Sequence, residues 1–294
     1  MSLGKDSETY VDLCRSLHLP AAFMDVVERI YFPLARLIWE RKTKTPFVVS
    51  INGAQGTGKS TLTRFVSAIL QNEYAAEVVS FSIDDFYHTR QQREQLAQRI
   101  HPLFITRGVP GTHDLDLLES VINALLHGRV CQIPLFDKAL DERMPISQWR
   151  SQAQAADVIL FEGWCNDSPT QTESQLLEPI NDLEAREDVQ GTWRRYVNQK
   201  LQEYHERVFC HSALRVFLKA PDFDHIFRWR KLQEDKLRTQ HLNTKQTRIM
   251  NDVELRRFMQ HYERITRHTL ATYAARADIV LPIDEGHDIA AIET

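Results

Sequence analysis

The sequence predicts an α/β fold: a mostly parallel central sheet with helices on both faces, preceded by an N-terminal helical extension. Three observations carry that expectation. Strand-length apolar stretches recur as "PFVVSI", "AEVVSFSI", "ADVILFEG", "ALRVFLKA" and "ADIVLPID". Segments with apolar residues at helical spacing separate most of them. Strands that are apolar almost throughout, rather than alternating, belong to sheets buried on both faces by crossover helices. The 294 residues are also enough chain to cover such a sheet.

The elements follow in order. Residues 1–44 read as a helical extension, and residues 45–294 as the main domain. In "AAFMDVVERIYFPLARLIWERK" the apolar residues repeat at helical spacing, with Pro20 near the start and Pro33 expected to kink or divide the helix. Such a stripe is usually a packing face. "PFVVSIN" is a buried strand, followed by a Gly-rich turn and the helix "KSTLTRFVSAILQ". "AEVVSFSI" is the second strand, and residues 86–105 are polar helix and loop. "DLDLLESVINALLHG" is an amphipathic helix closed by Gly128. "VCQIPLFD" reads as a short strand, "ADVILFEG" and "ALRVFLKA" as buried ones, and "ADIVLPID" as the last. Residues 173–190 carry six acids against one Arg, the composition of a solvated insertion or helix. Residues 225–250 reverse the sign, with seven Lys/Arg against two acids. A basic stretch is usually a solvated face.

Bulk properties exclude several classes. A net charge of -4 offers no basic footprint for nucleic acid. The apolar runs fall short of the roughly 20 residues a membrane span needs. The opening "MSLGKDSETY" lacks a signal-peptide pattern. Cys14, Cys131, Cys165 and Cys210 stand far apart with no C-x-x-C pair, which argues against zinc and for a reduced, cytoplasmic protein. The expected partner is a small molecule, with neither nucleic acid nor membrane involved.

"GAQGTGKS", Gly53 to Ser60, matches G-x-x-x-x-G-K-[ST] in full, between an apolar strand and an amphipathic helix. In this motif Gly53, Ala54, Gln55, Gly56, Thr57 and Gly58 form a tight loop whose N–H groups face phosphate oxygens. The following helix N-terminus, with Lys59, Ser60 and Thr61, adds favourable charge. Lys59 is placed on the β- and γ-phosphates of ATP and Ser60 on Mg²⁺. No N-K-x-D motif suggests a GTPase, and no L-S-G-G-Q-like signature suggests a transporter ATPase.

In a parallel sheet, ligands bind beyond the carboxyl ends of the strands. "SFSIDDFYHT" puts Asp84 and Asp85 at that edge, where a carboxylate can accept a hydroxyl proton or hold Mg²⁺; either can instead cap the next helix. "VILFEGW" adds Glu162, in position to join the Mg²⁺ shell.

With a P-loop, "SIDDFY" resembles the phosphoribulokinase, uridine kinase and pantothenate kinase group of P-loop kinases. Together "GAQGTGKST", "SIDDFYHT", "RGVPGTHDLDLL", "IPLFDK", "VILFEGW" and "FRWRKLQE" resemble the plant-type D-glycerate 3-kinases, over about residues 45–284. The resemblance implies a P-loop kinase fold, a basic helical lid near residues 222–250, and ATP-dependent phosphorylation of a small hydroxy-acid, D-glycerate foremost. It makes Asp84 the catalytic base, and puts Asp85, a candidate substrate-binding residue, where some members have Ser or Gly. Tyr87, Arg107, His113, Asp114 and Asp137 fall on its substrate side, with Phe136 standing where relatives have Tyr. Arg228, Arg230 and Arg238 are the lid cations; the first two are two residues apart and cannot share a helix face. Among substrate-side groups, Arg107 is the natural cation for an acceptor carboxylate. Two other readings remain: a kinase for a nucleoside, pantothenate or sugar acid, and an ATP-switched binding protein without transfer.

Overall fold

The computed structural model describes residues 7–240 and 250–294, and the side chains of Ser7 and of 236–240 lie outside that description. Helices α1 (Ser7–Ser16), α2 (Phe23–Val26) and α3 (Phe32–Glu40) come first, with a π-helical turn, Val27–Tyr31, joining the last two. Pro33 sits in the first turn of α3. It lacks an N–H and its ring crowds the carbonyl four residues back, so the wider turn falls just before it.

Strand β1 (Phe47–Gly53) leads through the Gly-rich turn into α4 (Lys59–Tyr74), and β2 (Val78–Ser82) is followed by a short 3₁₀ turn, Ile83–Phe86. Then come α5 (Arg90–Arg99), α6 (Leu115–Leu126) and four short strands: β3 (Cys131–Ile133), β4 (Phe136–Asp137), β5 (Glu142–Arg143) and β6 (Arg150–Gln152). The chain continues as β7 (Val158–Gly163), α7 (Glu173–Leu177), α8 (Asp182–Glu187), α9 (Thr192–Arg207), β8 (Leu214–Lys219), α10 (Phe223–Gln240), α11 (Asp252–Thr272) and β9 (Ile279–Pro282).

Five strands form one sheet in the order β2-β7-β1-β8-β9, and each neighbouring pair is parallel. Successive side chains on a strand point to opposite faces, and the two cores follow from that alternation. Val49 and Ile51 join Val158 and Leu160 in a core shared with Tyr31, Leu34, Ile38 and Phe65. Val48, Ile159 and Phe161 join Leu118, Ile122, Val197 and Leu201 on the other face. The N-terminal helices are therefore a layer of the first core.

Two expectations change. "VCQIPLFD" is not one strand: it divides at Pro134 into β3 and β4, which pair antiparallel with β6 and β5 in two separate ribbons outside the main sheet. Nor is the acidic segment 173–190 wholly solvated. Glu184 is fully buried in an ion pair with Arg264, at 2.6 Å, and Asp188 is buried against Arg194, at 3.1 Å. Burying these acids is possible only because each meets an arginine and further hydrogen-bond donors.

Candidate active site

Because the sheet is parallel, the carboxyl ends of β1, β2 and β7 open on one edge. The register puts Glu162 of β7 between Ile51 of β1 and Ser82 of β2. A cleft of about 350 Å³ lies there, lined among others by Gln55, Gly56, Lys59, Ser60, Asp84, Tyr87, Arg107, Lys138, Glu162, Trp164, Arg230 and Tyr262. Clefts at this edge are the usual ligand sites of open α/β sheets.

One end of the cleft is the turn after β1. Gly58 has φ +86, and no heavy atom lies within 4 Å of where a Cβ would stand, so the backbone there is open to a ligand. Thr57 Oγ1 donates to Ala54 O at 2.8 Å, and Lys59 Nζ to the same carbonyl at 2.9 Å, which ties the loop together. Partial burial lowers the Lys59 ammonium from its ordinary value, against the pull of Glu162 and Asp84. Ser60 Oγ donates to Glu162 Oε1 at 2.8 Å. These two oxygens at the head of α4 fit a divalent cation. Among the described residues no three His, Cys, Asp or Glu gather as a self-sufficient metal cluster.

Helix α10 crosses above this loop. Its Trp229 is buried and stacks on His287, with ring centroids 4.2 Å apart, and His287 Nε2 lies 2.6 Å from Gly56 O. Arg230 lines the cleft, held by the buried Glu234. Arg228 does not: it lines a separate cavity of about 670 Å³ between α10 and α11, with no P-loop residue in its wall. Two positions along a helix turn about 200°, so the pair diverge. The Arg238 side chain lies outside the described residues, as do positions 241–249 of the expected lid.

The other end of the cleft centres on Asp84. Its Oδ1 accepts from Tyr87 OH at 2.8 Å and its Oδ2 from Lys138 Nζ at 2.5 Å. Burial works against its ionisation, but the charge and hydrogen bond of Lys138, aided by Tyr87, hold the carboxyl well below the usual range. Asp85 turns away: its Oδ2 accepts from Ser82 N at 3.1 Å, while Ser82 Oγ accepts from Asp84 N. That is a helix cap. Burial, with Asp84 and Glu162 close by, pushes its carboxyl up to about 6.

Arg107 lines the cleft. Its guanidinium pairs with Asp141 and lies 5.5 Å from the Phe136 ring centroid, while NH2 donates to Lys138 O at 3.2 Å. Asp141 is held in turn by Arg93, a buried side chain, at 2.9 Å. Tyr262 OH donates to Arg107 O at 3.1 Å from 155 residues away. A Cβ on Gly108 would stand 2.1 Å from that hydroxyl, so only glycine permits the approach.

The other substrate-side candidates do not line the cleft. Asp114 caps α6, accepting from Leu117 N, and pairs with Arg143 at 2.8 Å. Asp137 accepts from Ala139 N and Leu140 N, shaping the β4–β5 turn. His113 is buried behind Tyr87, stacked on it at 4.4 Å, with Nδ1 3.0 Å from Tyr204 OH. Lys138, Asp141, Trp164 and Tyr262 were not expected. Lys138 adjoins Asp137 and Trp164 lies two residues after Glu162, both inside quoted motifs, whereas nothing local to Tyr262 sets it apart from a core tyrosine.

Fold and phosphate cradle together define a P-loop kinase. A family model described as the Phosphoribulokinase / Uridine kinase family matches residues 48–171. The chain is 32% identical over 226 residues to an uncharacterized kinase, mug58, of Schizosaccharomyces pombe, covering 74% of this chain and 78% of that one. It is 27% identical over 203 residues to the chloroplastic D-glycerate 3-kinase of Arabidopsis thaliana, 66% of this chain but 42% of that protein. A D-glycerate 3-kinase structure from Cryptococcus neoformans matches with TM-score 0.73 at 22% identity, covering 90% of this chain and 99% of that one, a likeness of fold. The chain belongs to the Phosphoribulokinase / Uridine kinase family, and it is an ATP-dependent phosphotransferase. Among the described residues no helix is long and apolar enough to cross a membrane.

Proposed function

We propose that this kinase phosphorylates a hydroxyl of a small hydroxy-acid, with D-glycerate converted to 3-phosphoglycerate as the leading case. One observation carries the reading: Asp84, an ionised carboxylate, faces the cleft with Lys138 on it and Arg107 in the same wall, while Glu162 is engaged by Ser60. Asp84 is the base for the acceptor hydroxyl, and the cations receive the acceptor's own carboxylate. A nucleotide switch has no use for such a constellation. The relatives named as D-glycerate 3-kinases add support for the acceptor.

On the donor side Lys59, Gly58 and the α4 N-terminus hold the phosphates, and Arg230 meets them from α10. Ser60 and Glu162 would hold Mg²⁺, which supplies charge neutralisation between the phosphates. Phosphoryl transfer asks the protein chiefly for alignment, charge stabilisation and exclusion of water. Trp164 and Tyr262 provide the last by walling the cleft.

The test is ADP release with Mg²⁺ across a panel of D-glycerate, other hydroxy-acids, pantothenate and uridine. The expected outcome is turnover that requires D-glycerate and falls by roughly a hundredfold or more in Lys59→Ala. No turnover with any hydroxy-acid would overturn the acceptor class.

A further inference from the structure

Both oxygens of Asp84 are engaged, one by Tyr87 and one by Lys138. Each oxygen keeps a second lone pair, but both partners line the cleft, so an acceptor hydroxyl meets the cleft side of Asp84 only where one of them gives way. The two are not equally free. Tyr87 is 2% exposed, stacked on His113 and edge-on to Phe136 at 5.2 Å. Lys138 has an anchored backbone and a loose head. Its carbonyl accepts from Arg107 NH2, and Asp137 caps its turn, yet its side chain is 61% exposed.

We infer that Lys138 is the specificity-determining gate of the acceptor site: it covers Asp84 until the anion of an acid acceptor draws its ammonium away. The inference rests on the hydroxy-acid reading above. Lys138 is largely exposed while Asp84 is only 24% exposed, so their pair is a charge-assisted bond and not a screened surface contact. An acceptor carboxylate replaces that bond for the ammonium, so the exchange costs little. A neutral polyol offers no replacement anion, and uncovering Asp84 then forfeits a charge-assisted bond with nothing in return.

Once Lys138 has moved, the acceptor oxygen forms its bond to the γ-phosphorus as the bond from that phosphorus to the ADP oxygen breaks. The hydroxyl proton passes to Asp84 Oδ2, the atom Lys138 has vacated. Without an acid acceptor, the same pairing keeps Asp84 from activating water, so ATP is not hydrolysed idly.

The experiment compares wild type, Lys138→Met and Lys138→Arg in the full chain. Initial rates of ADP release are measured with ATP and Mg²⁺ alone, with D-glycerate, and with glycerol. In Lys138→Met the kcat/KM ratio of D-glycerate over glycerol should fall about tenfold or more, the scale of a lost charged hydrogen bond. Acceptor-independent hydrolysis should rise, and Lys138→Arg should restore much of the ratio. Thermal melting checks folding, and Lys138→Gln replaces the Met variant if that one melts early. An unchanged ratio and unchanged idle hydrolysis, in a protein whose wild type uses D-glycerate, would overturn the gate alone. A wild type that turns over no hydroxy-acid would instead overturn the function reading beneath it.

Discussion

The two ends of the cleft are assembled in different ways. On the donor end, residues 53–60 do most of the work in one uninterrupted stretch, braced by the strand before and the helix after. The acceptor end draws on Asp84 and Tyr87 after β2, Arg107 in a loop, Lys138 on a ribbon, Trp164 after β7 and Tyr262 on α11. A phosphate chain can be cradled by backbone N–H groups, so local sequence suffices to specify its site. A small acceptor has to be met by side chains from several directions, and only the tertiary fold brings those together.

The largest expected effect lies where the two ends meet. Asp84→Asn should lower kcat by roughly a hundredfold to ten-thousandfold, the range for loss of a positioned general base. Its affinity for ATP, measured by titration without acceptor, should hold. Lys59→Ala should weaken both. Equal loss of nucleotide affinity in the two variants would make Asp84 a donor-side, metal-holding group and would move the boundary between the ends.

What the sequence shows of the molecule follows the same division. All five strands of the main sheet are visible as apolar runs, because a strand buried on both faces has few polar positions to interrupt it. "VCQIPLFD" misleads because short ribbons outside the sheet bury apolar residues too, here Ile133 and Phe136, and only Pro134 hints that the run is broken. The acidic stretch misleads because the partners of Glu184 and Asp188 lie elsewhere in the chain. Helical spacing does separate Arg228 from Arg230, but does not say which one faces the nucleotide. On the acceptor side the motifs mark the right neighbourhoods while blurring individual roles. Asp137 and Lys138 are adjacent, yet one shapes a turn and the other meets Asp84.

A paired test separates a cleft-facing residue from a scaffold residue in the same segment. Arg107→Ala should raise the KM for the acid acceptor about tenfold or more, as a charged hydrogen bond is lost, with ATP affinity unchanged. Asp114→Ala should leave that KM alone and cost about 1 kcal/mol of stability through loss of the α6 cap, read from denaturant unfolding. A raised KM with undiminished stability in Asp114→Ala would put that carboxylate in the substrate's path.

The smallest effect on catalysis is expected at His113, which the sequence places beside the substrate and the structure places behind Tyr87. Burial pushes its imidazole down to about 3, the chief opposing influence being Asp84, while His88 pushes the same way as burial. The unfolded chain binds a proton at this residue as pH falls below about 6.5, and the folded chain refuses it until far lower. Stability contributed by the neutral ring is therefore complete above that value and is lost as pH falls toward 3, by an amount on the order of a few kcal/mol. Phenylalanine can keep the stacking on Tyr87 but cannot titrate. His113→Phe should thus flatten the fall in unfolding free energy between pH 6 and pH 4, relative to wild type. At neutral pH it should cost about 1 kcal/mol, since Tyr204 OH loses a partner. The acceptor KM should stay where it is. A sharp rise in KM with no change in the pH dependence of stability would mean that the ring reaches the acceptor itself, and the acceptor end would then extend one layer deeper than Tyr87.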